Sequence, residues 1–421
     1  MTNQPTAAAR EIFRPVPYMG VIYVVAEAMK LGFWNGHPDW SNLGQGQPEV
    51  GPIDGAPPRF SRIELAPHEH AYGPVGGTDE LRQVVAEHYN RLYRNGKRSK
   101  YTKDNVTIAA GGRLVITRVF ATLGTINLGY QLPDYTAYED MIDYHRYRVT
   151  PFGVVTTVDG GFVMSPSDLE SAVKRHDLSA FLLSNPCNPT GQFVQGDALA
   201  EYVDIARRNE CALILDEFYS HYVYTLDGKP GSGPVSAAEY VEDVEADRVV
   251  VIDGLTKSYR YPGLRIGWAV GPADIIERMN RAASAIDGGP SIACQKAALQ
   301  ILEPDVADRE TNAVRAVFTR KRNIMLQRLR AMGIPCDVPP AGTFYVWASI
   351  ASLPAPLNDA DAFFRKALDR KVLTVPGRFF DVNPGKERSG PSPYKSWVRF
   401  SFGPPEENMV MGLTRLGEMV R

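Results

Sequence analysis

The sequence predicts an α/β fold with a mainly parallel sheet, together with a second, smaller α+β unit. Short apolar strands alternate with stretches of helical spacing through the middle of the chain, which is typical of a parallel sheet with helical crossovers. Polar residues follow three of these strands, at Asn188, Asp216 and Lys257. The chain has 421 residues, 44% of them hydrophobic, which is enough for two domains of ordinary size.

The first sixty residues are rich in glycine and proline, and one helix is predicted there, over Met19–Leu31. That stretch carries Glu27 and Lys30 and is too short to span a bilayer, so we interpret it as an amphipathic helix. Apolar residues at helical spacing predict another helix over Thr78–Arg94. Residues 1–60 are expected to form an N-terminal segment that packs with the smaller domain.

The central part of the chain, residues 61–299, is expected to form the large domain. Its short apolar strands are separated by helical stretches, which indicates a mainly parallel sheet. Ligands of such open sheets bind beyond the carboxyl ends of the strands. The predicted strands are Asp104–Ala110, Ala180–Ser184, Ala212–Leu215 and Arg248–Ile252, and the helices between them include Arg113–Leu123 and Gly196–Arg208.

Residues 300–421 are expected to form the smaller α+β domain. A long, mostly helical stretch leads into it, and two strands and one loop rich in glycine, proline and lysine follow. These elements are the helical stretch Pro290–Met332 with a break near Pro304, the strands Gly342–Ala348 and Trp397–Phe402, and the loop Asn383–Pro393.

Composition and charge exclude several classes of partner. The net charge of −2 does not favour binding to nucleic acid or to an acidic membrane surface. The four cysteines are widely spaced and form no CxxC pair, which is typical of reduced thiols. The start of the chain lacks the basic and apolar regions of a secretory signal. We therefore expect a cytoplasmic protein without nucleic-acid or membrane partners.

The residues after the strands have the chemistry needed to hold pyridoxal 5′-phosphate. Lys257 can form a Schiff base with the cofactor and then act as a base near the substrate Cα. Asp216 can pair with the ring nitrogen, which strengthens the cofactor as an electron sink. Asn188 and Tyr219 can each donate a hydrogen bond to its phenolic oxygen. Any one of these residues alone has an ordinary structural explanation; their joint order favours the cofactor site.

Phosphate and ring contacts can be predicted in the same way. Arg265 can bind an oxyanion through its guanidinium fork. Gly111 and Gly112 open a helix, and a helix N-terminus presents free N–H groups to phosphate. Tyr135 can stack on the cofactor ring. Arg113 follows the glycine pair and is a further candidate contact.

These motifs resemble those of the class I and II aminotransferases, the pyridoxal-phosphate enzymes of fold type I. The resemblance extends from about Leu43 to Phe402. The matching segments are Leu43-Gly-Gln-Gly-Gln-Pro48, Tyr72-Gly-Pro-Val-Gly-Gly77, Asn185-Pro-Cys-Asn-Pro-Thr-Gly191, Asp216-Glu-Phe-Tyr219, Thr256-Lys257 with Arg265 and Gly267, Gly342-Thr-Phe-Tyr-Val-Trp347 and Val398-Arg-Phe-Ser401.

The resemblance implies a three-layer large domain that binds pyridoxal phosphate and a smaller α+β domain. It implies that Arg399 grips the substrate α-carboxylate and that Gly46 and Asn188 also contact the substrate. It further implies a homodimer with shared active sites, in which Tyr72 reaches the phosphate of the neighbouring subunit. Thr256 is expected among the phosphate contacts. The partners would be an amino acid and a 2-oxo acid.

Departures from the family pattern leave a second reaction class open. Many members have a serine where this chain has Gly254, and a small or amide residue where it has Arg113. The run Arg260-Tyr-Pro-Gly263 resembles that of some enzymes of natural-product pathways. The leading hypothesis is an aminotransferase that moves an amino group from an amino acid to a 2-oxo acid. The alternative is an enzyme that catalyses replacement at Cβ or Cγ, cyclisation or oxidation.

Other classes of protein are disfavoured by the sequence. Gly44-x-Gly46 lacks the third glycine of a dinucleotide-binding loop because Glu49 stands there. His68-x-His70 has no acidic or cysteine cluster with it, so no metal site is expected. A DNA-binding sensor would need an additional N-terminal domain. The substrate side chain is expected to meet the N-terminal segment, and a dicarboxylic preference is not supported. Its candidate contacts are Tyr18, Tyr23, Trp34, Asn35, Gln45 and Arg113.

Overall fold

The computed structural model describes residue 13 and residues 15–224 and 233–421. The α-helices are α1 (Gly20–Met29), α2 (Asp79–Tyr93), α3 (Gly112–Thr122), α4 (Ala137–Asp143), α5 (Pro166–His176), α6 (Asp197–Arg208), α7 (Ala273–Ile286), α8 (Ile292–Ile301), α9 (Pro304–Ala331), α10 (Ala360–Asp369) and α11 (Glu406–Met419). The strands are β1 (Ser41–Asn42), β2 (Val106–Ala109), β3 (Ile126–Leu132), β4 (Val149–Val155), β5 (Ala180–Ser184), β6 (Ala212–Asp216), β7 (Val249–Gly254), β8 (Gly267–Val270), β9 (Tyr345–Ser349), β10 (Val372–Leu373), β11 (Val375–Pro376) and β12 (Trp397–Ser401).

The central sheet has seven strands in the order β2-β8-β7-β6-β5-β3-β4. Strands β7, β6, β5, β3 and β4 are parallel to one another, and β8 is antiparallel to both of its neighbours. Both faces of the sheet are buried, because alternate residues belong to two different apolar clusters. Ile214 and Ile252 pack on the face covered by α3 and α7, whereas Leu215 and Val251 pack on the face covered by α2, α5 and α6. This three-layer arrangement confirms the predicted α/β fold class.

Two small sheets form the second unit. Strands β11, β12 and β9 form an antiparallel sheet, and β1 pairs in parallel with β10. The pairing of Ser41 with Val372 joins the N-terminal segment to the C-terminal part of the chain. Helix α1 contacts β10 and β11, so this segment packs against the small sheets. The domain boundaries themselves remain a prediction.

The sheet topology brings distant loops to one edge. Ser184 pairs with Asp216, and Asp216 pairs with Ile252, so β5, β6 and β7 end side by side. Because β8 runs in the opposite direction, its first residue Gly267 pairs with Gly254 at the end of β7. Strand β2 is antiparallel to β8, so its last residue also lies at this edge. The chain segments before β8 and after β2, β5, β6 and β7 therefore meet there.

The predicted elements are present with small shifts at their ends, and the helical break near Pro304 separates α8 from α9. The sequence prediction did not include the strands β1, β3, β4, β8, β10 and β11 or the helices α4, α5, α7, α10 and α11. Strand β3 carries Asn127, Gly129 and Gln131, and β4 contains Pro151, so neither has a clear apolar pattern. Pro151 is tolerated because β4 is an edge strand. Within the described residues, we find no helix that has both the length and the apolar character to cross a membrane.

Candidate active site

A cavity of about 640 Å³ lies at the edge of the sheet where the parallel strands end. Its walls also include residues from α1, from the segment that follows β1 (residues 45–47), and from β9 and β12. It contains most of the residues predicted for the site. Those that line it are Gly46, Gly112, Arg113, Tyr135, Asn188, Asp216, Tyr219, Thr256, Lys257, Arg265 and Arg399.

Lys257 follows β7, and its amine projects into the cavity, where it donates a hydrogen bond to the carbonyl of Gly46. Burial lowers the pKa of the Lys257 amine to about 7, and the positive charge of Arg399 acts in the same direction. The negative charge of Asp216 opposes this shift. An amine with this pKa is neutral in a large fraction of molecules near neutral pH, as a nucleophile or base requires.

Asp216 is the last residue of β6 and is buried. Its carboxylate accepts hydrogen bonds from the Tyr138 hydroxyl at 2.8 Å and from the backbone N–H of Phe218 at 3.3 Å. Burial raises the pKa of this carboxyl to about 6, while the bond from Tyr138 acts against the rise. A cation placed opposite Asp216 would favour its charged form.

Arg399 reaches the cavity from the centre of the three-stranded sheet and is 2% exposed. Its guanidinium donates to Asn188 Oδ1 at 2.9 Å and to the carbonyl of Gly44 at 2.9 Å, and it lies 3.9 Å from the ring centre of Tyr345. Its Nε has no hydrogen-bond partner in the structure although it is buried. Asn188 and Arg399 therefore act as one polar pair, with a donor on Arg399 still unsatisfied.

The start of α3 and Arg265 form a small polar pocket at the cavity wall. Gly111 has a φ of 93°, and a Cβ there would lie 2.2 Å from Arg265 Nη2. A Cβ on Gly112 would lie 2.3 Å from the Phe218 ring. Only glycine therefore allows the helix start and the guanidinium to lie so close together. The first N–H groups of a helix have no acceptor within it, so this pocket suits an anion.

The structure also shows why position 254 carries no side chain. A Cβ on Gly254 would lie 2.5 Å from the carbonyl oxygen of Ile266 and 2.7 Å from Gly267 Cα. Both are backbone atoms of the segment that pairs with β7, so they cannot turn aside as a side chain can. The serine that is usual in the family has no space here.

Two of the aromatic candidates, Tyr135 and Tyr219, have contacts that the sequence did not indicate, and a third, Tyr72, lies outside the cavity lining. The Tyr135 hydroxyl accepts a hydrogen bond from Arg113 Nε at 3.2 Å. The hydroxyl of Tyr219 is hydrogen-bonded to that of Tyr345 at 2.8 Å. Tyr72 does not line the cavity and is fully exposed on this chain.

The candidate contacts for the substrate side chain separate into two groups. Asn35, Gln45 and Arg113 line the cavity. Tyr23 instead packs on Phe379 at 5.2 Å, and Tyr18 and Trp34 are exposed outside the cavity lining. An apolar wall from α1 and the residue before it takes their place, formed by Met19, Val21, Ile22 and Val25.

Two tyrosines of the site were missed by sequence reasoning. Tyr138 lies 78 residues before the aspartate it contacts, and Tyr345 lies 126 residues after its partner Tyr219. Tyr345 belongs to the matching segment Gly342-Thr-Phe-Tyr-Val-Trp347, whereas Tyr138 lies in none of the matching segments. Nothing in the sequence indicated the contacts of either residue.

Charge dominates the cavity. Among the described residues, its lining includes one carboxylate, Asp216, and four basic side chains, those of Arg113, Lys257, Arg265 and Arg399. The excess of positive charge favours an anionic ligand with more than one acidic group. The described part of the chain contains no group of three or more histidine, cysteine, aspartate or glutamate residues that could hold a metal ion.

Comparison with known proteins identifies the family of this chain. Residues 38–416 match the family model of aminotransferase class I and II. An aspartate aminotransferase of Sulfurisphaera tokodaii is 26% identical over 393 residues, which are 90% of this chain and 89% of that protein. An aspartate/prephenate aminotransferase of Cereibacter sphaeroides is 29% identical over 360 residues, 82% of this chain and 85% of that protein. These matches favour transamination over the replacement, cyclising or oxidative alternative.

Solved structures show the same fold. The aspartate aminotransferase of Thermus thermophilus with maleate aligns with a TM-score of 0.78 and 23% identity, and the alignment covers 98% of this chain and all of that one. An aminotransferase from Mycobacterium tuberculosis aligns with a TM-score of 0.76 over 99% of both chains. Because the family model covers most of the sequence, the chain belongs to the class I and II aminotransferases.

Proposed function

We propose that this aminotransferase uses pyridoxal 5′-phosphate, carried on the amine of Lys257, to move an amino group from an amino acid to a 2-oxo acid. The observation that carries the proposal is the convergence of Lys257, Asp216, Arg265 and Arg399 on one cavity. These residues come from strand ends and a second sheet far apart in sequence. Their chemistry matches an aldehyde, a pyridine nitrogen, a phosphate and a carboxylate respectively.

The residues present fit the cofactor. The glycines at the start of α3 leave a space beside Arg265 that any Cβ would fill, which supports binding of the phosphate there. Thr256 lines the same cavity and is a further candidate contact. Asp216 supplies a buried carboxylate for a positively charged ring nitrogen. Tyr135, Asn188 and Tyr219 line the cavity as candidate contacts for the ring and its phenolic oxygen.

The protein residues divide the remaining work between binding and proton transfer. When bound, pyridoxal phosphate withdraws electrons from the substrate Cα and so makes its proton acidic. Once released from the cofactor, the Lys257 amine, with its pKa of about 7, could accept that proton and later give it up again. Arg399 is the proposed partner of the substrate α-carboxylate, to which its unsatisfied Nε could donate. Gly46, whose carbonyl accepts a hydrogen bond from the Lys257 amine, is a further proposed contact of the substrate, together with Asn188.

Arg113 supports a substrate with a second acidic group. It lines the cavity in addition to the two arginines already assigned, and Tyr135 holds its guanidinium. The relatives are named for aspartate and for prephenate. We therefore propose aspartate as the first amino donor to test, although the sequence alone did not support a dicarboxylic preference.

We retain the homodimer as part of the proposal. Tyr72 is fully exposed and lies away from the cavity of its own chain, which is compatible with a contact to a second subunit. Sedimentation of the purified protein would measure its mass directly. A monomer at working concentration would remove this part of the proposal.

Transamination can be tested with purified enzyme, the cofactor and a panel of amino acids that includes aspartate. We expect the absorbance of the bound cofactor to change on addition of the amino donor and to recover on addition of a 2-oxo acid. Products identified by mass spectrometry should be the matching oxo acid and amino acid. The Lys257→Ala variant should lose the absorbance of covalently bound cofactor and at least about 1000-fold in rate, since both the anchor and the base are removed.

Two outcomes would contradict the proposal. Covalently bound cofactor in Lys257→Ala would show that another amine is the anchor. Amino-acid consumption without an oxo acid in the products would indicate replacement or cyclisation instead of transamination.

A further inference from the structure

A group of three charged residues, two buried and one half-buried, lies outside the cavity next to residues 255–261, which we call the Lys257 loop. We call Arg260, Glu310 and Arg59 the Arg260 cluster. Arg260 is completely buried, and its Nε donates to Glu310 Oε1 at 2.6 Å. Arg59 Nη1 donates to the same oxygen at 3.4 Å. None of the three lines the cavity, so the proposed reaction does not use them directly.

The cluster joins the Lys257 loop to a segment of the N-terminal part. Arg260 Nη1 donates to the carbonyls of Glu49 at 3.0 Å and Gly51 at 2.7 Å. Its backbone N–H donates to the carbonyl of Lys257 at 3.0 Å. Arg59 completes the connection, because it donates both to the carbonyl of Val50 at 2.9 Å and to that of Arg260 at 2.7 Å.

The segment held in this way also forms the cavity wall. Gly46 lies three residues before Glu49, and its carbonyl accepts the hydrogen bond from Lys257 Nζ. Gln45 and Gln47 line the cavity beside it. Glu49 is fixed from a second direction, since its carboxylate accepts from buried Lys321 at 2.7 Å. Residues 45–51 are thus anchored at one end and contact the amine at the other.

The cluster is costly to build. Two arginines share a single buried carboxylate, and a buried ion pair is often no more stable than apolar residues of the same volume. Arg260 also has a φ of 57°, a conformation that costs a non-glycine residue on the order of 1–3 kcal/mol. A contribution to stability alone does not account for this arrangement. The need to hold the Lys257 loop and residues 45–51 in fixed positions does.

We propose that Arg260, anchored by Glu310, is a positioning residue that holds the Gly46 carbonyl against the Lys257 amine and keeps solvent from that side of it. The inference concerns the placement of the amine, and its importance for catalysis rests on the proposed role of Lys257.

The groups that face the Lys257 amine are known, and none belongs to the cluster. They are Asp216 on β6, Arg113 on α3, Arg265 before β8 and Arg399 on β12. Because burial is the main cause of the low pKa of Lys257, loosening residues 45–51 should admit water and raise that pKa towards 10.5.

Substitutions at Arg260 and at Glu310 distinguish an effect of positioning on the Lys257 pKa from an effect of charge. Loss of a positive charge in Arg260→Met would raise the Lys257 pKa by Coulomb interaction alone. Loss of a negative charge in Glu310→Gln would lower it by the same mechanism. Positioning predicts a rise in both variants, by at least one unit in Arg260→Met. The pH dependence of Lys257 acylation in the apoenzyme, followed by mass spectrometry, measures this pKa without any need for activity.

Arg94→Met is the matched control. Arg94 is equally buried and donates to several backbone carbonyls, but it contacts neither the Lys257 loop nor residues 45–51. It should lower thermal stability and leave the Lys257 pKa unchanged. Hydrogen exchange of residues 44–51 should be faster only in the cluster variants.

Shifts of opposite sign in the two cluster variants, or an unchanged Lys257 pKa in both, would overturn the inference. If Arg260→Met does not fold, Arg260→Lys and Glu310→Gln carry the same test, with a smaller shift expected. Failure of this inference and failure of the proposed function can be told apart. Transamination by a Lys257→Ala enzyme would contradict the proposed function, but it would not change the measured pKa of Lys257 in the cluster variants.

Discussion

At the scale of single residues, the cavity gives Lys257 its most unusual property. Its side chain is half-buried at the cavity wall, and its amine feels the positive charge of three arginines, which one carboxylate only partly offsets. The folded protein therefore disfavours the protonated amine, whereas the unfolded chain does not. Holding the Lys257 amine in this environment lowers the free energy of unfolding, and the size of that loss depends on pH.

We predict that Lys257→Met stabilises the cofactor-free protein near pH 7 and below. The pKa of this amine is about 7 in the folded state and near 10.5 in the unfolded state. Between these values the unfolded chain binds more protons, so wild-type stability rises with pH and the penalty disappears near pH 10.5. The variant should be more stable by a few kcal/mol at pH 6, with the difference closing by pH 10.

Urea unfolding of both apoproteins between pH 6 and 10, in buffer without phosphate, would measure this difference. The Lys257→Arg variant is a useful comparison, since it retains a charge throughout the range. If the free energies of unfolding of wild type and Lys257→Met differ by the same amount at all pH values, the pKa of the amine is not depressed in the folded protein.

Most candidate residues could be predicted because each follows a recognisable strand or belongs to a motif. Asp216 and Lys257 required only the rule that parallel strands end at one edge. The contacts that tune them could not be predicted, because Tyr138 and the Arg260 cluster meet their partners only through tertiary packing. Tyr23 was a wrong expectation for the cavity, since aromatic residues of an amphipathic helix pack equally well in a core.

At the scale of elements, the polar pocket at the start of α3 depends on a close approach of α3, β7 and β8. Gly254 pairs with Gly267, and a Cβ on Gly267 would lie 2.8 Å from the backbone nitrogen of Gly112. The glycines thus let one helix start lie directly on two strands. Strand β8 was hard to predict for the same reason, because four residues beginning with glycine give little apolar pattern.

We predict that Gly254→Ser, the substitution that restores the usual family residue, damages this enzyme. The new side chain would meet backbone atoms of Ile266 and Gly267 and push β8 away from β7. Overpacking of this kind costs about 1–3 kcal/mol. Because Arg265 directly precedes these residues, cofactor affinity should fall as well. Thermal unfolding and cofactor titration would measure the two effects.

Gly124→Ser is the matched control, since nothing lies within 4 Å of a Cβ at that position. It should change stability by no more than about 0.5 kcal/mol and leave cofactor binding unchanged. A Gly254→Ser enzyme that binds the cofactor more tightly than wild type would mean that the strands yield and that the serine gains its phosphate contact.

At the scale of the whole molecule, the cavity lies where the two structural units meet. The polar pocket at the start of α3 lies on the seven-stranded sheet, and Arg399 belongs to the three-stranded sheet. A ligand with a phosphate and a carboxylate would therefore contact both units at once. The fold class followed from strand and helix alternation, but this relation between the units required the pairing of β1 with β10 and the contacts of α1.

We predict that inorganic phosphate stabilises the cofactor-free protein and that Arg265, not Arg399, is responsible. Phosphate should bind at the start of α3, where the helix N–H groups and the Arg265 guanidinium lie together. At 100 times its Kd, a ligand that binds only the folded state stabilises it by about 2.7 kcal/mol. Arg265→Ala should abolish this gain. Arg399→Ala should retain it, because the Arg399 guanidinium contacts Asn188 and Gly44 instead.

Thermal unfolding with phosphate or with chloride at equal ionic strength would separate specific binding from screening. Equal loss in both variants would place the anion between the two sheets instead of at the helix.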